Sequence, residues 1–133
     1  MSNKSNTASF VVSLNSNKVL EYYRDRKLSM TQIKDLEKAE KKLSNGISIA
    51  GQFIASPSAE EKAIFMANQL AHALSIENEA LQAITCAFLA TRYPALKQLK
   101  LTSTQEQLSI ELINDKEYAD QAPIKFVSKK DLI

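Results

Sequence analysis

The sequence predicts an α+β fold that is mainly α: about four helices followed by a C-terminal antiparallel β-hairpin. Three observations predict it. Apolar residues recur at helical spacing through the middle of the chain, capping and stop signals bracket those stretches, and from Gln107 the apolar period drops to two.

Residues 1–9 are rich in Ser, Asn and Thr, have little to bury, and are expected to form a flexible N-terminal arm ahead of one globular domain over 10–133. Phe10-Val11-Val12-Ser13-Leu14 reads as a short strand or an apolar plug. Asn15-Ser16-Asn17 offers N-caps for a first helix from about Lys18 to Lys27, because a short polar side chain accepts from the free amides of a first turn. The second helix runs from about Met30 to Ser44. Ser29 and Gln32 fit a capping box, and Ile33, Leu36, Ala39 and Leu43 form one apolar stripe. Asn45-Gly46 stops it, glycine being suited to the left-handed conformation beyond a helix end.

Ile47-Ser48-Ile49 and Phe53-Ile54, separated by Ala50-Gly51-Gln52, are compatible with a very short hairpin. Ser56-Pro57-Ser58 opens the third helix, with the proline placed in its first turn and Glu60 and Glu61 near the positive end of the helix dipole. Its apolar face is Ala63, Met66, Ala67, Leu70, Ala73 and Leu74. The fourth helix, about Asn78 to Arg92, is apolar on most sides, the pattern of an element at the centre of a domain, and Tyr93-Pro94 ends it. Leu108, Ile110 and Leu112 then alternate as a half-buried strand, Asn114-Asp115-Lys116 reads as a turn, and Ile124-Lys125-Phe126-Val127 as the return strand.

Bulk composition narrows the class. With 133 residues, 44% hydrophobic and 24% charged, the chain has the make-up of an ordinary globular domain. A single cysteine, Cys86, excludes an internal disulfide and a thiolate zinc cluster. The polar start lacks the apolar core of a signal peptide, and the most apolar run, Ala83 to Ala90, is far short of the about 20 residues of a membrane span, so a cytoplasmic location and no membrane partner are expected. Residues 1–45 hold nine basic and five acidic side chains, whereas residues 106–133 hold four basic and six acidic. A basic front and acidic rear can steer a partner, but the polarity is weaker than a nucleic-acid footprint.

Chemistry is harder to find. Gly46 and Gly51 have the spacing of a phosphate-binding loop, but Gln52 and Phe53 stand where Lys and Ser or Thr are needed, and a dinucleotide fingerprint needs three glycines where the chain has two. The sole thiol, Cys86, lies among alanines and the sole imidazole, His72, on a polar helix side, so the pair reads as structural. Glu77 and Glu79 near His72 read as residues of a helix start instead of metal ligands. No catalytic, cofactor-binding or metal residue is assigned.

Two surfaces remain. Tyr22, Arg24, Arg26 and Lys27, continued by Lys34, Lys38 and Lys41 on one helical stripe, combine cations with an aromatic ring, which is what single-stranded nucleic acid requires. Phe65 and His72, seven residues apart, face away from the main apolar stripe of the third helix and are candidate protein contacts. The edge of the C-terminal hairpin offers a further place for a second copy to add. The expectation is a small non-enzymatic protein acting through protein contacts as an adaptor or regulator, partnered by itself as a homodimer or by another protein. Nucleic-acid binding by the 22–42 surface is the alternative.

Overall fold

The computed structural model describes residues 9–115 and orders them as β1 (Ser9–Leu14), β2 (Asn17–Tyr23), α1 (Met30–Ser44), β3 (Ile47–Ile49), β4 (Gln52–Ile54), α2 (Ala59–Ser75), α3 (Glu79–Arg92), β5 (Gln98–Ser103) and β6 (Leu108–Ile113). A four-stranded mixed sheet in the order β2-β1-β5-β6 carries the fold, and β3 and β4 form a separate two-stranded ribbon. Three helices and six strands among the described residues replace the expected mainly helical chain of four helices and a terminal hairpin.

Two misread segments account for the difference. The expected first helix, Lys18 to Lys27, is instead β2 and the loop after it. Asn15 and Ser16 take φ of 51° and 73°, the paired positive values of a tight two-residue hairpin turn, and return the chain alongside β1. The Asn15 side chain does not cap a helix; it accepts from the Ser103 amide at 2.8 Å and ties the turn to the end of β5. The partner of β6 is β5, antiparallel from Gln98↔Ile113 to Ser103↔Leu108. The anticipated return strand at Ile124–Val127 lies outside the described residues, as does the N-terminal arm apart from Ser9, which opens β1.

Register explains why the sheet has one oily face. Leu20, Val12, Leu99 and Leu112 stand opposite one another across all four strands, and Leu14, Leu101 and Ile110 form the next row on β1, β5 and β6. These rows meet Leu70, Phe88 and Leu89, and Phe88, Leu70, Leu89, Leu99 and Leu101 are completely buried. Each such side chain contributes about 1.5–3 kcal/mol on burial. The opposite face presents Lys100 beside Glu111, an opposed charge pair suited to water.

Local signals hold where they were strong. Ser29 and Gln32 exchange both capping-box hydrogen bonds, at 3.1 and 2.8 Å. In α2 the cap is Ser58, reciprocated by Glu61, so Pro57 precedes the cap instead of standing in the first turn. Asn78 caps α3 by accepting from the Leu81 amide at 3.1 Å, which leaves Glu77 outside the helix at φ 57°. Glu40 joins the three helices: its carboxylate receives Lys62 of α2 at 2.8 Å and lies 3.8 Å from Arg92 of α3.

Candidate functional site

The expected basic surface is divided by the fold. Tyr22 points into the core and is buried, so its ring is not offered for stacking; burial raises its hydroxyl pKa, with Arg26 opposing. Arg24 is half-buried. Its guanidinium donates to the carbonyls of Ala90 and Tyr93 at 3.1 Å each and also to Leu96, while stacking 5.8 Å from the Phe10 ring. These carbonyls belong to the end of α3 and the turn after it, where a helix leaves acceptors unsatisfied. Arg24 is thus a structural clamp between the β2–α1 loop and α3. Arg26 lies over the Tyr22 ring at 5.3 Å. Lys27, Lys34, Lys38 and Lys41 are exposed, the last three on the side of α1 opposite Leu36 and Leu43. What stays on the surface is the lysine stripe with Arg26, and the exposed ring of this segment is Tyr23 instead of Tyr22.

Phe65 and His72 are not brought into one site. Phe65 is half-buried in a cleft bounded by α1, β3, α2 and α3, whereas His72 is exposed beside Leu14, Ser103 and Leu108 at the far end of α2. Cys86 is buried, and its burial pushes the thiol from 9.0 to about 11 against the opposing pull of Arg26 and Arg24. At neutral pH it is a thiol and a poor nucleophile. No cluster of three or more His, Cys, Asp or Glu side chains suits a metal among the described residues. Nor is any described helix long and apolar enough to cross a membrane.

The cleft beside Phe65 has a volume of about 560 Å³. Its walls are Leu43 of α1, Ile47 of β3, Phe53 of β4, Phe65 of α2, and Leu81 and Ile84 of α3. The local sequence makes this opening. The C-terminal half of α3, from Thr85 to Ala90, is buried throughout, while Leu81 and Ile84 one turn earlier are only half-buried, so part of the all-round apolar helix lines the cleft. The β3–β4 ribbon forms the opposite lip. Gly46, at φ 119°, lets the chain leave α1 and admits the Phe53 ring so closely that any Cβ there would collide with it. Phe53 is nevertheless 65% exposed, an aromatic ring held at the rim of an apolar hollow.

Polar groups in the lining are few. Thr85 is satisfied within its helix by the Leu81 carbonyl at 2.7 Å. Lys42, Ser48 and Gln69 make no side-chain hydrogen bond or ion pair among the described residues. The sequence pointed to Phe65 but not to the cleft. Phe53 beside Gly46 and the surplus apolar positions of α3 were the available signals, and each needed the ribbon to be placed before it had meaning. The cleft has the size and lining of a ligand pocket, roughly 300–1,000 Å³ and mostly apolar with a few polar groups, and its lining includes no His, Cys, Asp or Glu. No family model matches the chain, and neither curated proteins nor solved structures offer a match.

Proposed function

We propose that this chain is a non-enzymatic binding module whose working surface is the cleft between α1, the β3–β4 ribbon, α2 and α3. The observation that carries the reading is the 560 Å³ apolar hollow with Phe53 exposed at its rim. A solvent-facing aromatic costs free energy in the empty protein, and an apolar ligand recovers it by removing the ring from water. An occupant changes the surface formed by α1 and the ribbon, which suits a regulatory or adaptor role.

A dye that fluoresces in apolar surroundings, anilinonaphthalene sulfonate, tests the reading. The folded protein is expected to bind it saturably. Leu81→Glu is expected to abolish binding by placing a carboxylate in the wall. That variant is expected to keep its fold, because position 81 is the third residue of α3, where Glu reciprocates the Asn78 cap. Absence of saturable binding to the folded wild type, or undiminished binding to Leu81→Glu, would sink the reading.

A further inference from the structure

We infer that the ligand of this cleft is a free aliphatic monocarboxylate, a medium-length alkyl chain ending in a carboxylate whose charge is met by Lys42; the inference rests on the binding-module reading above. The lining divides into two chemistries. Leu43, Ile47, Phe53, Phe65, Leu81 and Ile84 offer only carbon, and no hydrogen-bond donor on them can hold a polar ligand body. Against them stand Lys42, Ser48 and Gln69, whose side chains have no hydrogen-bonding or ionic partner among the described residues.

Charge decides the sign of the head group. Lys42 is the charged residue of the lining, and no carboxylate accompanies it there. Its neighbours show the contrast. Lys62 on α2 is bound to Glu40 at 2.8 Å, whereas Lys42 on the adjoining turn of α1 is left without a counter-charge among the described residues. A ligand cation would be repelled, and a neutral polar head would gain nothing from the ammonium, which is exposed to water. An anion on an apolar chain satisfies both halves. Ser48 and Gln69 each supply a further donor, from the hydroxyl and the amide respectively, with which a carboxylate oxygen can be shared.

The test is calorimetric titration of the full chain with decanoate and with decanol, which share a chain and differ in head group. Octanoate serves as the shorter acid. Decanoate is expected to bind more tightly than decanol by about fivefold at low salt, the range of a partly exposed ion pair. The advantage is expected to shrink as ionic strength rises. Each methylene between octanoate and decanoate is expected to tighten binding by roughly three- to fourfold, following the free energy of burying a CH₂ group.

Lys42→Ala is expected to erase the preference for decanoate while leaving decanol binding unchanged. Lys41→Ala, the neighbouring lysine on the solvent stripe, is expected to change neither. Equal binding of acid and alcohol, or a preference that survives Lys42→Ala, would overturn the carboxylate assignment and leave the apolar cleft standing. Failure of both compounds together with failure of the dye would overturn the cleft reading itself.

Discussion

Arg24 shows how one side chain can be taken out of a surface by its backbone surroundings. In the sequence it belongs to a charged, mostly basic run, Arg24-Asp25-Arg26-Lys27, that looks solvated. In the fold it reaches the last carbonyls of α3 and the turn beyond, where partial negative charge collects at a helix end. Burial lowers its pKa, but a guanidinium stays charged across the physiological range. Removing it leaves half-buried carbonyls unsatisfied. Arg24→Ala is therefore expected to cost about 2–3 kcal/mol, counted as charge-assisted hydrogen bonds lost. Arg24→Lys recovers only a fraction, because one ammonium cannot span three carbonyls arranged for a planar fork. Urea unfolding midpoints check both, and a Lys variant as stable as the wild type would contradict the clamp.

Among the elements, the β3–β4 ribbon is the one whose position matters most to the cleft and the one with least to hold it. Each strand has three residues, and a two-stranded ribbon is marginal without packing. Its turn places Ala50 at φ 52° and Gly51 at φ 80°. Glycine takes a positive φ freely, but alanine there costs about 1 kcal/mol from Cβ crowding. Ala50→Gly is expected to relieve that strain and stabilise the protein, or at least the ribbon, by up to about 1 kcal/mol. The gain is read as a rise in melting temperature and slower hydrogen exchange of the ribbon amides; a fall in both would mean that the turn is not strained. Gly46→Ala acts in the opposite direction, because its methyl group takes the space of the Phe53 ring.

At the scale of the whole molecule, the described groups for which burial is the largest cause of a shift, Cys86, Tyr22, Tyr93 and Arg24, all titrate on the alkaline side. Burial raises the pKa of the Cys86 thiol to about 11, and raises Tyr22 and Tyr93 in the same direction. For Cys86 the folded value lies above the unfolded value near 9.0, so its contribution is complete below pH 9. Between pH 9 and 11 the unfolded chain ionises while the folded one does not, and stability declines through that window. The loss attributable to Cys86 is about 2–3 kcal/mol, from roughly two pKa units at 1.36 kcal/mol each. Cys86→Ala is expected to flatten part of this decline when unfolding free energy is measured across the window. An unchanged slope in the variant would show that the thiol is not desolvated as its position implies.

The same ladder of scales separates what was legible in the sequence. Capping residues act on amides two or three positions away, so Ser29 and Gly46 marked the ends of α1 without reference to the rest of the chain, whereas Asn78, read as part of the helix, is the cap of α3. Apolar stripes were largely legible: Ala63, Met66, Ala67, Leu70 and Ala73 on α2 are buried and Leu74 is half-buried, while on α1 Leu36 and Leu43 are buried, Ala39 is half-buried and Ile33 is exposed. Strand β5 was missed, although Gln98-Leu99-Lys100-Leu101-Thr102 alternates and its inward leucines are fully buried, because so short an alternation gains meaning only beside β1 and β6. Segment 17–23 was ambiguous in principle, because Val19, Leu20, Tyr22 and Tyr23 suit either period and Asn15 suits either a cap or a turn.

Sequence by itself determined the elements whose forces are local: the three helices to within a residue or two and the alternating strand from Leu108, with the first strand as one of two readings. Tertiary structure alone decided that β1 lies parallel to β5 across more than eighty residues, that β6 turns back on β5, and that Arg24 is spent on α3 while Lys42 is not. The reason is physical. A cap or a stripe is satisfied within one or two turns of chain, but a strand pair, a clamp and a cleft exist only when distant segments share a surface, and that choice is made by the burial of the whole core.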